Sequence, residues 1–122
     1  MTVPLQITFR DLPSSAAVEA QIRERTEHLE RVFDRVTACR VIVEGRHRPQ
    51  RAGRVTHLCV ELTLPGKVIT IGRGAAEFEA HEDVFVAVRV AFDAARRRLD
   101  RYARRRRGEV KAHTLPIARE EA

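Results

Sequence analysis

Aromatic residues are scarce in this 122-residue chain: there is no tryptophan, one tyrosine and five phenylalanines. Phe9, Phe33, Phe85 and Phe92 fall where a core would need them, which leaves no exposed aromatic platform for stacking bases. Cysteine is nearly absent, with only Cys39 and Cys59, too few for a disulfide framework. Strand alternation puts Cys39 on the face of Val41 and Val43, and Cys59 opposite Leu58 and Val60. Side chains on opposite faces of a sheet cannot meet disulfide geometry. His47, His57 and the two cysteines lack metal-ligand spacing. There is no Gly-rich phosphate loop, GxSxG or Ser/His/Asp order. The expectation is therefore no catalytic residue, no metal, no cofactor and no small-molecule substrate. No run of about 18 apolar residues exists to cross a membrane. MTVPLQITFRD lacks the basic start and long apolar stretch of a signal peptide, so a cytoplasmic location is expected.

What is present is a globular composition, 43% hydrophobic and 33% charged, in a chain of one-domain length. The net charge of +6 is unevenly placed. Residues 84–111 carry ten Arg or Lys against Asp93, Asp100 and Glu109, a surplus of seven. The remainder carries thirteen basic and fourteen acidic residues. The whole excess thus sits in one late segment, which points to a polyanionic partner.

LQITFR (5–10) alternates as a half-buried strand, with Leu5, Ile7 and Phe9 to one side. Asp11-Leu12-Pro13 breaks it, and Ser14 or Ser15 can cap a helix. Val18, Ile22, Leu29, Val32, Phe33 and Val36 carry helical spacing to about residue 35. The other face of this helix pairs Glu19 with Arg23 and Glu27 with Arg31. CRVIVEG (39–45) reads as a strand, RHRPQRAGR (46–54) as a basic loop, and VTHLCVELTL (55–64) as an alternating strand. Pro65-Gly66 turns the chain into a partner strand, KVITIGRG. His57 and Glu61 share the outward face of the 55–64 strand and read as solvated. AAEFEA (75–80) connects to a helix over 81–107, with Gly108 as its stop.

The order is β-α-β-β-β-α, an α/β (α+β) two-layer sandwich. A four-stranded mixed sheet is expected, with two helices packed on one face. Leu5, Ile7, Phe9, Val41, Val43, Leu58, Val60 and Leu62 form the expected core. Residues 1–112 make the domain and 113–122 a flexible tail.

RRRLDRYARRRR (96–107) holds eight arginines in twelve positions. At about 100° per residue, Phe85, Val88, Phe92, Ala95, Leu99 and Tyr102 line one side of the last helix. Arg97, Arg98, Arg101, Arg104 and Arg105 fill the opposite arc, while Arg89, Arg96 and Arg107 flank the stripe. Like charges at i,i+4 repel by a few tenths of a kcal/mol each, and a helix needing only solubility would mix signs. An array of guanidinium groups suits successive phosphates. Folded RNA suits it better than DNA, since no helix-turn-helix is visible.

HEDVFVAVRVAFDAARRRLDRYARRRRGEVK (81–111) resembles the last helix of the ribosome hibernation-promoting factors, also called ribosome-associated inhibitors or sigma-factor modulation proteins. The shared features are an acidic start, an aromatic–Ala–aliphatic step and a basic amphipathic helix. Residues 5–44 resemble the family's opening strand, helix and second strand, including LERVFDR at 29–35. The resemblance spans about residues 4–112.

It implies a non-enzymatic translation inhibitor that binds 16S rRNA in the small-subunit decoding channel of 30S or 70S ribosomes. There it would block mRNA and tRNA in resting cells. It also implies rRNA contact by Arg97, Arg101, Arg105 and Arg107, to which geometry adds Arg98 and Arg104. Arg89 and Lys111 complete the helix set, and Arg46, Arg48 and Arg51 are possible loop contacts. Arg89 stands where relatives carry an acidic residue, Ala94 where a basic one is common, and Phe85 where Tyr is usual. With no dimerising or cold-shock domain after it, the chain reads as a short form, monomeric off the ribosome. Two other readings compete: a general structured-RNA-binding stress protein, and a small enzyme built on His81, Glu82 and Asp83.

Overall fold

The computed structural model describes residues 3–47, 54–72, 80–81 and 83–114. Strand β1 (Leu5–Arg10) leads into helix α1 (Ala16–Val32). Strands β2 (Ala38–His47), β3 (Arg54–Leu64) and β4 (Lys67–Ile71) follow. A two-residue strand β5 (Ala80–His81) precedes helix α2 (Val84–Thr114). β1 pairs parallel with β2, from Leu5 opposite Cys39 to Arg10 opposite Glu44. β2 and β3 are antiparallel from Ala38 opposite Thr63 to His47 opposite Arg54. β4 flanks β3 from Val60 to Leu64, and β5 continues that same edge at Thr56 and His57. The expected order β-α-β-β-β-α and mixed sheet are therefore present, with β5 as a small addition.

The core follows from alternation. Val41, Val43, Leu58, Val60, Leu62, Ile69 and Ile71 are buried on one sheet face. Ile22 and Leu29 of α1 and Val88, Phe92, Ala95 and Leu99 of α2 close over them. Leu99 is wholly enclosed; burying such a side chain is worth about 1.5–3 kcal/mol. Thr26, the polar member of the α1 stripe, is accommodated because its hydroxyl donates to the Ile22 carbonyl at 2.8 Å. Cys39 lies beside it, Sγ 3.9 Å from Thr26 Oγ1. Burial pushes the Cys39 thiol up to about 11, against a smaller lowering by that hydroxyl. It is a protonated core group at neutral pH. Both cysteines are free, as their opposite faces require.

Each helix starts at a side-chain cap. Ser15 is extended (φ −136°, ψ 122°) and its hydroxyl accepts from the Val18 amide at 3.3 Å. Asp83 accepts from the Phe85 amide at 2.8 Å through its carboxylate, and its carbonyl accepts from Ala87 at 3.1 Å. Such caps satisfy amides that have no partner within the helix.

Six expectations change. α1 stops at Val32, not near 35: Phe33 turns extended (φ −127°) while its amide still bonds Leu29. The apolar spacing runs on because Val36, past a short turn, is buried against the same core. β2 reaches His47, so Arg46 pairs with Val55 in a ladder and does not belong to a loop. α2 begins at Val84, because His81 is spent on β5 and Asp83 is the cap. At the far end it runs through Gly108 to Thr114. One helical glycine costs only about 1 kcal/mol relative to alanine, and elongation of a formed helix is easy.

Phe85 is 44% exposed and not part of the core; half-buried Val84 packs there instead. Finally, His57 is buried at 6% exposure despite its outward register. Its Nε2–H donates to the Gly72 carbonyl at 2.8 Å, and Nδ1 lies 4.0 Å from Glu44 Oε1. Gly72 has φ +93°, and a Cβ there would collide with the Leu58 carbonyl, so only glycine brings its carbonyl to His57 without strain.

Candidate nucleic-acid interface

The apolar stripe of α2 buries Ala87, Val88, Ala91, Phe92, Ala95 and Leu99, and Tyr102 packs at the edge of the core. Burial of one side decides what the other presents. Arg89, Arg97, Arg101, Arg104 and Arg105 are exposed, and Arg98 is half-buried. Residues three and four apart on a helix lie about 5–6 Å apart at Cβ, so Arg97, Arg101 and Arg104 form one row and Arg98, Arg101 and Arg105 another. The structure thus brings together Arg97, Arg98, Arg101, Arg104 and Arg105. Arg89 stands two turns earlier on the helix. Arg107 and Lys111 continue α2 along the backbone. Arg46 lies in β2, while Arg48 and Arg51 fall outside the described residues.

Among the described residues, three clefts border α2. Between the helices, a cleft of about 430 Å³ is lined by Glu24, Arg25, His28, Arg31, Asp93 and Arg96 over Leu29 and Phe92. Arg25 and Asp93 approach to 3.8 Å there, so opposite charges meet across the helix pair. A second cleft, about 370 Å³, is bounded by Arg97, Asp100, Arg101 and Arg104. The third, about 300 Å³, lies between α2 and the start of β4, lined by Lys67, Ile69, Arg98, Arg101, Tyr102 and Arg105.

Two contributors were not singled out by the sequence reading. Lys67 Nζ sits 5.7 Å from the centre of the Tyr102 ring. Arg106 lies at the same distance from that ring and donates from Nη1 to the Tyr102 hydroxyl at 3.4 Å. Cations over an aromatic face gain about 0.5–1 kcal/mol at exposed sites. Tyr102 therefore holds two charges from different parts of the chain. The Arg106–Tyr102 spacing of four residues is visible in the sequence, whereas the approach of Lys67 needs the fold.

No group of three or more His, Cys, Asp or Glu among the described residues could hold a metal ion. Asp83 is engaged as a helix cap and the backbone of His81 belongs to strand β5. No described helix is long and apolar enough to cross a membrane.

The model of the sigma 54 modulation protein / S30EA ribosomal protein family matches residues 5–107. The chain belongs to this family. The family resemblance seen in the sequence is thereby established over residues 5–107. Among solved structures, a ribosomal subunit interface protein from Coxiella burnetii is similar at TM-score 0.67 and 14% identity. That match covers 83% of this chain and 98% of the other. The N-terminal domain of Protein Y from Thermus thermophilus is similar at TM-score 0.58 and 20% identity, with 84% and 99% covered. At these identities the likeness is one of fold. The search of curated proteins finds no match. The S30EA-family fold thus carries, in this member, an arginine array along one helix and a lysine beside it at the start of β4.

Proposed function

We propose that this S30EA-family chain binds the small ribosomal subunit through 16S rRNA and acts as a translation inhibitor in resting cells. It would occupy the decoding channel and exclude mRNA and tRNA. The observation that carries this reading is the immobilised cation array. Arg97, Arg98, Arg101, Arg104 and Arg105 sit on a helix whose opposite side is locked into the core at Phe92, Ala95 and Leu99. A helix backbone locked to the core fixes the spacing of its guanidinium groups, and each phosphate contact they make releases condensed counterions. Family membership, and the fold shared with a ribosomal subunit interface protein, support ribosomal RNA as the partner in this reading. The chemistry needed is binding alone, which fits a surface of arginines around shallow clefts.

Sedimentation of the purified chain with 30S subunits, 70S ribosomes and free duplex RNA tests the proposal. Co-sedimentation with 30S and 70S at moderate salt, and weaker retention on the duplex, is the expected outcome. Equal binding to all three would instead establish a general structured-RNA binder. Binding should weaken steeply with salt, each neutralised phosphate adding about 0.7–0.9 to the log–log slope.

A further inference from the structure

We infer that Phe85 is a stacking platform for one unpaired base of the bound RNA, with Arg89, one turn further along α2, as the cation for that nucleotide's phosphate. The inference rests on the RNA-binding reading of α2 and adds a base contact to it. The helical spacing predicts a buried ring, yet Phe85 is 44% exposed, and half-buried Val84 packs against the core in its place. Val32, Val68 and Phe85 are the large apolar side chains exposed among the described residues. Of these three, Phe85 alone is aromatic, and it alone stands on the arginine-bearing helix. One exposed apolar side chain needs no explanation in itself. What singles out Phe85 is the charge arranged along its flank of the helix.

Arg89 follows Phe85 by four residues and Arg96 by eleven. At about 100° per residue both lie within about 40° of it around the helix, and both are exposed. The flank thus runs from the ring, past Arg89, to Arg96, which borders the cleft between the helices and directly precedes Arg97 of the arc. A rise of 1.5 Å per residue puts Arg89 about 6 Å beyond Phe85 along the axis. One nucleotide can therefore lay its base on the ring while its phosphate meets the guanidinium. Proteins that hold single strands combine these two groups: cations follow the backbone, and aromatic faces take bases of any sequence. The ring is also firmly mounted. The Phe85 amide donates to the Asp83 carboxylate at 2.8 Å, and Nε2 of Gln21, on α1, donates to the Phe85 carbonyl at 3.5 Å. Ala87 and Val88, just beyond, are buried, so a base settling on the ring orders little backbone. Arginines alone read phosphates, whereas a ring that takes a base selects an unpaired one.

Two measurements on the full chain test this. In the first, affinity for 30S subunits is compared across a salt series for wild type, Phe85→Ala, Phe85→Leu and Phe85→Tyr, with melting temperature as a check on folding. Phe85→Ala and Phe85→Leu should each weaken binding about 5–150-fold, the span expected for stacking one base, and Phe85→Tyr should stay near wild type. The salt slope should be the same in all four, since no phosphate contact is lost. The second uses the absence of tryptophan from the chain, which makes Phe85→Trp a sole fluorescent reporter. A single-stranded RNA oligonucleotide is added at low salt, where charge alone secures binding. Its bases should quench Phe85→Trp strongly and leave Val68→Trp, on β4, nearly unchanged. Full affinity in Phe85→Ala would overturn the inference. Retention by Phe85→Leu would overturn the base and make the side chain an apolar contact for a ribosomal protein. Loss of affinity without quenching, or equal quenching at both positions, would likewise overturn the base. Wild-type protein that fails to bind 30S at all would refute the RNA reading itself, a result distinct from wild-type binding that Phe85→Ala leaves intact.

Discussion

The two helices lie on the same sheet face and share a core, yet their outer faces could hardly differ more. α1 shows solvent a mixture, with Glu19 and Arg23, Glu27 and Arg31 each one turn apart. α2 shows Arg97, Arg101, Arg104 and Arg105 with Asp100 as the carboxylate among them. Inward, both are alike: Val18, Ile22 and Leu29 do for α1 what Val88, Phe92 and Leu99 do for α2. Folding constrains the buried stripe and leaves the solvent face unconstrained. A solvent face that accepts the cost of like-charge repulsion, where its neighbour avoids it, reports a partner and not stability. The α1–α2 cleft reinforces this, because Asp93 meets Arg25 there at 3.8 Å. On α2, Asp93 is placed toward the neighbouring helix and Asp100 in a side cleft with Arg97, Arg101 and Arg104.

The inner faces should prove equivalent, and this carries the largest expected effect. Leu29→Ala and Leu99→Ala should each cost about 2–5 kcal/mol, read by denaturant unfolding, because each opens a cavity among residues that cannot collapse fully. A loss below 1 kcal/mol at either site would break the claim that both helices are anchored alike. The caps come next. Ser15→Ala and Asp83→Ala should each cost about 0.5–2 kcal/mol, since each side chain accepts from an otherwise unpaired helical amide. If Asp83→Ala left stability intact, its carboxylate would need a role other than capping.

Much of this was legible before the fold. Period-two alternation located the strands and their inward sets, because a buried sheet face admits little but apolar side chains. The spacing of Phe92, Ala95 and Leu99 revealed both the stripe and, by subtraction, the arginine arc. What stayed hidden depended on contacts distant in sequence. Lys67 beside a Pro-Gly turn reads as an ordinary solvated lysine until β4 brings it over Tyr102. His57 reads as outward by parity, and its burial requires Gly72, with its left-handed backbone, to turn a carbonyl back onto it. Phe85 fits the stripe by angle, yet stands on the first turn of α2, where Val84 and not Phe85 meets the core. The helix ends are hidden in the sequence for a similar reason. Val36 continues the apolar period of α1 from outside the helix, and Gly108 is too weak a breaker to stop α2.

The difference between the outer faces is tested most directly by two charge-matched pairs, Arg97→Gln with Arg101→Gln on α2 and Arg23→Gln with Arg31→Gln on α1. Each removes two positive charges from the same protein, so net charge cannot explain a difference between them. Affinity for 30S subunits is measured across a salt series, with melting temperature as a check on folding. The account predicts that the α2 pair loses at least tenfold in affinity and about two phosphates' worth of salt slope, roughly 1.4–1.8. The α1 pair should stay near wild type, and both should melt normally. Equal losses from the two pairs, or full retention by the α2 pair, would contradict it.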